Sequence, residues 1–171
     1  ICISTQVGCR MGCTFCATGK SGFSRNLTAS EMLAQIQSAQ KDLEIQISNI
    51  VLMGMGEPLD NYQQVLRFLE LVSSDEGMNI GMRHISVSTC GIVDKIYDMA
   101  NRKLQCTLSV SLHAPNDNLR SQTMPINKKW GVAQLLKACK YYSDTTRRRI
   151  SFEYAMISGL NDSDAQAQEL A

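Results

Sequence analysis

Apolar positions along the chain switch between two periods. Short β-rich runs occupy residues 1–6, 47–53, 84–88, 105–111 and 149–157. Between them, apolar residues recur at helical spacing over 29–43, 62–74, 92–100, 118–122 with 131–142, and from 163 onward. Thr28 or Ser30 starts the first helix and Asp60-Asn61 caps the second, because short polar side chains accept from the free N–H groups of a first turn. Strands alternating with helices predict βαβ units and a parallel sheet, hence an α/β fold. The run Ile50-Val51-Leu52-Met53 predicts a strand buried on both faces.

In parallel α/β folds, functional groups gather at the carboxyl ends of the strands. The unusual residues of this chain fall there. A cysteine-rich loop follows the first strand, and Gly54-Met55-Gly56-Glu57-Pro58 follows the second. Ser88-Thr89-Cys90-Gly91, Ser111-Leu112-His113-Ala114-Pro115 and Ser158-Gly159-Leu160-Asn161-Asp162 follow the next three. The regularity carries more weight than any single motif. Each of Ser88, Ser111, His113 and Asn161 also has a purely structural reading as a turn former or a hydrogen-bonded strand end.

Cys9, Cys13 and Cys16 form a C-x₃-C-x₂-C triplet in a glycine-punctuated loop. Three thiolates leave a coordination position for something other than protein, whereas structural zinc sites close with four protein ligands. The spacing also differs from the four-cysteine runs of electron-transfer clusters. A zinc knuckle completed by Cys90 or Cys106 is the bland alternative, but no second C-x₂-C pair supports it. Gly56 lets backbone approach a ligand, and Glu57 offers a carboxylate to a cationic group.

Composition narrows the partners. The formal net charge is +1, so any nucleic acid must be held by a local patch. Arg147-Arg148-Arg149 and Lys128-Lys129-Trp130 are either solvated faces or phosphate contacts. An odd number of mostly scattered cysteines, seven in all, favours a reducing, cytoplasmic compartment over a disulfide framework. No apolar run approaches the roughly 18 residues of a membrane span. At 171 residues the chain fits one domain, and both ends read as cut from a longer protein.

The pattern C-x₃-C-x-(aromatic)-C, with Phe15 as the aromatic residue, resembles the signature of radical S-adenosylmethionine enzymes. Further blocks resemble one branch of them over nearly the whole chain: Gln6-Val7-Gly8-Cys9, Cys16-Ala17-Thr18-Gly19, Met53-Gly54-Met55-Gly56-Glu57-Pro58, Ser86-Val87-Ser88-Thr89-Cys90-Gly91, Ser111-Leu112-His113-Ala114-Pro115-Asn116-Asp117, Met124-Pro125-Ile126-Asn127-Lys128-Lys129 and Glu153-Tyr154. That branch is the RlmN type of dual-specificity 23S ribosomal RNA and transfer RNA adenine carbon-2 methyltransferases. The resemblance implies a partial (β/α)₆ TIM-like barrel with about five β/α units present, residues 1–171 forming a truncated core domain. It implies a [4Fe–4S] cluster on Cys9, Cys13 and Cys16, and S-adenosylmethionine as cofactor. Gly56 and Glu57 are expected at its amino end. Ser88, Ser111, Leu112, His113 and Asn161 are expected against its ribose, adenine and carboxylate parts. Cys2 matches a second catalytic cysteine that resolves a protein–RNA adduct, while the methyl-carrying cysteine lies outside this chain. An electron donor such as flavodoxin or ferredoxin and the two RNA substrates are the implied partners. The alternatives are a Cfr-like carbon-8 methyltransferase, a radical activating enzyme of a glycyl-radical partner, and a non-enzymatic zinc or electron-transfer module.

Overall fold

A computed structural model describes all residues, Ile1–Ala171. In chain order the elements are β1 (Gln6–Gly8), α1 (Ala17–Lys20), β2 (Phe23–Asn26), α2 (Ala29–Leu43), β3 (Ile50–Leu52), α3 (Tyr62–Ser73), β4 (Ile85–Thr89), α4 (Val93–Asn101), β5 (Thr107–Ser111), α5 (Asp117–Thr123), α6 (Val132–Thr146), β6 (Ile150–Glu153) and α7 (Asp164–Leu170), with 3₁₀ turns at Met82–His84 and Pro125–Lys128. Strands β3, β4, β5 and β6 form a parallel sheet in that order. The chain start extends it: Cys2 bridges Val51 in parallel, and Ile3 N–H donates to Val51 O at 2.9 Å. The open, curved sheet with helices on its convex face is the expected partial α/β barrel.

The helices form where periodicity and caps agree. Thr28 starts α2 through a capping box with Glu31, as the Thr28 option anticipated. Asn61 stands at the N-cap of α3, but its side chain instead donates to Thr5 O (2.8 Å) and Leu27 O (2.7 Å). Helices α2 to α4 and α6 bury Met32, Ile36, Phe68, Leu69, Ile96 and Leu135 against Ile50, Leu52, Ile85, Val87, Leu108 and Val110 of the sheet.

Three features depart from the sequence pattern. The predicted strand over residues 1–6 splits into the edge bridge at Cys2 and the short β1. Strand β2 pairs antiparallel with β1, joining Gln6 to Asn26 and Val7 to Arg25; its exposed Ser24-Arg25-Asn26 carries no apolar alternation from which to read it. The sheet is also covered on one face only. Val51, Ser86, Thr107 and Ser151 are half-buried on its concave side, where Ser86 and Ser109 hydroxyls hydrogen-bond at 3.0 Å. An open barrel wall needs an apolar skin only where helices pack, so Ile50-Val51-Leu52-Met53 is not a doubly buried strand.

Candidate active site

The carboxyl ends of β3 to β6 and the loop between β1 and α1 surround a cavity of about 590 Å³, counted to its mouth. Cys9, Cys13 and Cys16 line it from the loop, and Gly54, Gly56 and Glu57 from the segment after β3. Ser88, Thr89 and Cys90 enter from β4, Ser111 and His113 from β5, and Glu153 from β6. Four of the five strand-end motifs therefore converge, and Ser158-Gly159-Leu160-Asn161-Asp162 does not reach the cavity wall.

Backbone bonds anchor the cysteine loop at both sides. Cys9 N–H donates to Gly22 O (2.8 Å) and Thr14 N–H to Thr123 O (2.9 Å) at the end of α5. Burial pushes the Cys13 thiol up to about 11, and the neighbouring Cys9 and Cys16 add to the rise. Burial likewise raises Cys9. All three cysteines line the one cavity, and binding a metal group there must displace their protons. No three His, Cys, Asp or Glu side chains close around a single ion position. A tetrahedral zinc would need them at about 2.3 Å from one centre. Three thiols on one cavity wall would suit an iron–sulfur cluster that keeps a coordination position open. The three-thiol donor set of the loop fits such a cluster.

Glu57 is 4% exposed, and its carboxylate accepts from Leu59 N–H (2.9 Å) and Cys90 N–H (2.7 Å). Burial raises its pKa while those backbone donors oppose the rise. The turn before it demands glycine: Gly56 has φ of +103°, and a Cβ there would stand 2.6 Å from Gln6 Cβ. Gln6 in turn accepts from Glu57 N–H (2.9 Å) and donates to Asn26 and Asp60, both at 2.8 Å. The strand bearing the cysteine loop is so locked to the segment bearing Glu57.

His113 adopts a left-handed φ of +55°. Its Nδ1 accepts from Ala155 N–H at 2.9 Å, which assigns the ring proton to Nε2. Burial, helped by the nearby Arg120 charge, lowers its pKa to about 4, so the ring is neutral near pH 7. Phe15 of the cysteine motif meets it edge-on, with centroids 4.8 Å apart.

Three expected residues lie off the cavity wall. Asn161 is buried and its carboxamide is committed to backbone: Nδ2 donates to His113 O (2.8 Å) and Ala155 O (2.9 Å), and Oδ1 accepts from Ile157 N–H (2.6 Å). It braces the loop behind His113, because a carboxamide is the group that can satisfy two carbonyls and an N–H together. Leu112 is buried and packs into the core. Cys2 is exposed on the sheet edge. Two residues escaped sequence reasoning. Glu153, the last residue of β6, faces the cavity where the fifth loop was expected. Arg120, on a polar helix turn, is fully buried beneath it. Arg149 enters β6 at its amino end, opposite the cavity, and Lys129 Nζ lies 4.1 Å from the Trp130 ring centroid.

No helix is long and apolar enough to cross a membrane. The Radical SAM superfamily model matches residues 3–171. A probable dual-specificity RNA methyltransferase RlmN of Clostridium novyi is 56% identical over 170 residues, covering 99% of this chain and 50% of that protein. The protein of the same name from Thermoanaerobacter sp. (strain X514) is 57% identical over 169 residues, 99% of this chain and 49% of its own length. The chain spans about half the length of the curated relatives it matches. A crystal structure of a radical SAM methyltransferase from Sphaerobacter thermophilus superposes with a TM-score of 0.95 at 49% identity, over 99% of this chain and 50% of that one. Fold, cavity and family match agree, and the chain belongs to the radical SAM superfamily.

Proposed function

We propose that this chain is the cofactor-binding core of an RNA methyltransferase that acts on carbon 2 of an adenine in 23S ribosomal RNA and transfer RNA. The observation that carries the reading is the single cavity uniting the three loop thiols with Gly56-Glu57, Ser88, Ser111 and His113. The RlmN names of relatives 56% and 57% identical support the substrate class. Superfamily members use a [4Fe–4S] cluster and S-adenosylmethionine. When bound, the cluster supplies the electron that cleaves the cofactor's sulfonium, and a flavodoxin- or ferredoxin-type protein is the proposed source of that electron.

The chain's own part is binding, orientation and exclusion of water. Cys9, Cys13 and Cys16 hold the cluster. Gly56 and Glu57 receive the cofactor's amino end, and the hydroxyls of Ser88 and Ser111 with the Nε2–H of His113 meet its ribose and adenine. Asn161 and Leu112 act through position, fixing the loop that bears His113. Cys2 is the candidate second catalytic thiol, and its exposure leaves it accessible to a macromolecular adduct. Cys106 and Cys139 are buried off the cavity wall, while Cys90 is buried on it; by its resemblance to the RlmN type, the methyl-carrying cysteine is assigned outside this chain.

Incubating the intact, reconstituted protein with 23S ribosomal RNA and transfer RNA, followed by mass spectrometry of nucleosides, tests the reading. 2-Methyladenosine is expected. 8-Methyladenosine would transfer the chain to the carbon-8 branch, and no methylated adenine would overturn the proposal.

A further inference from the structure

Arg120 has 0% exposure, and its guanidinium is held by neutral acceptors alone. It donates to the carbonyls of Cys90 (2.6 Å), Ser111 (3.0 Å) and Leu112 (3.2 Å) and to Oδ1 of Asn127 (3.1 Å). None of the chain's ion pairs includes it. A buried cation without an anion is strongly unfavourable, so such a group points to negative charge that the neighbouring site acquires. The ionisable groups around it are Cys90, Cys13, Asp117, Cys139 and His113, the last a neutral ring that supplies no negative charge. Asp117 is reached only through Asn127, whose Nδ2 donates to Asp117 Oδ1 at 3.0 Å. Glu57 is screened by Cys90, which gives its N–H to Glu57 and its carbonyl to Arg120. Cys139 is buried on α6, away from the cavity wall. Cys90 also lines the cavity, but burial holds its thiol protonated and it stands outside the cysteine triplet; Cys13 belongs to the triplet, and its loop is docked on the helix of Arg120 through Thr14 N–H to Thr123 O.

We propose that Arg120 is the buried counter-cation of the iron–sulfur site, set behind Cys13 to hold the cluster's reduction potential up while its hydrogen bonds tie the ends of β4 and β5. The inference rests on the cluster reading of the three thiols. An added electron makes the cluster more negative, so a fixed positive charge across a low-dielectric wall favours the reduced form. Arg120 is a positioning residue that touches neither cofactor nor reacting atoms.

The test is an EPR-monitored redox titration of the intact protein reconstituted anaerobically with iron and sulfide. In Arg120→Gln, the ratio of reduced to oxidised cluster at a fixed potential is expected to fall about tenfold, equivalent to about 59 mV for one electron. Arg120→Lys keeps the charge and should stay near the wild-type potential, although it loses most of the hydrogen bonds; a merely structural brace would fail equally in both. An unchanged potential in folded, iron-replete Arg120→Gln overturns the proposal. Should that variant not fold, Arg120→Met, which keeps the buried stem and removes the charge, is expected to give the same downward shift. No shift there overturns the proposal too. Wild-type protein that takes up no iron–sulfur cluster would refute the cluster reading itself, a separate outcome.

Discussion

Replacing Asn161 with alanine separates bracing from cofactor contact. The side chain makes three hydrogen bonds, to His113 O, Ala155 O and Ile157 N–H, the first fully buried. At about 1 kcal/mol net for each lost bond, Asn161→Ala should cost about 3 kcal/mol. For a domain of this size, about 2–4 °C of Tm follows each kcal/mol, so a fall of roughly 6–12 °C is expected in the metal-free protein. Peptide-resolved hydrogen exchange should show the loss concentrated between Tyr154 and Asp162, with α2 and α3 unchanged, since the bonds tie a loop rather than the core. Cofactor affinity should weaken as a consequence, because His113 loses its support. A variant with unaltered Tm and unaltered exchange in that loop, yet no cofactor binding, would make Asn161 a direct ligand and refute the bracing role.

Further outcomes follow from the same geometry. Gly56→Ala forces a methyl against Gln6 at a φ that disfavours side chains, and should cost about 2–4 kcal/mol in urea unfolding; a midpoint equal to wild type would contradict it. His113 is depressed to about 4 from an ordinary 6.5, so between these values the unfolded chain binds the proton and the folded one does not. The stabilisation is full above pH 6.5 and is lost as pH falls toward 4, up to about 3 kcal/mol; His113→Gln should flatten that part of the stability curve, and an unchanged slope would refute it. A chain ending at Ala171 should, if the methyl-carrying cysteine lies outside it, release 5′-deoxyadenosine from S-adenosylmethionine under reductant without methylating RNA. Methylated product from that chain would end the assignment.

The sheet and its helices were legible because their signals are local. The α2 boundaries follow from Thr28, Glu31 and an unbroken 3.6-residue period, and the buried rows of β4 and β5 follow from Ile85, Val87, Leu108 and Val110. Strand β2 was illegible because its pairing with β1 depends on register with Gln6 and Val7 rather than on any pattern of its own. The concave face was misjudged at Val51 because burial on a second face depends on whether a barrel closes. At the site, residue types with one chemical use were readable: three thiols, a glycine turn and Glu57. Asn161 and Leu112, expected against the cofactor, stand off the cavity lining, since sequence shows that a residue stands at a strand end but not which way it faces. Arg120 lies beyond such reasoning altogether, because an arginine on a short polar helix reads as solvated until the carbonyls of three other residues are brought around it.

The most direct measurement is metal and sulfide analysis of anaerobically reconstituted protein, with EPR of the reduced sample before and after S-adenosylmethionine. About four irons and four sulfides per chain, lost on replacing Cys9, Cys13 and Cys16 by alanine, and a spectrum that changes when the cofactor is added, are the expected results. One zinc per chain, or a cluster spectrum indifferent to S-adenosylmethionine, would contradict the assignment of this cavity.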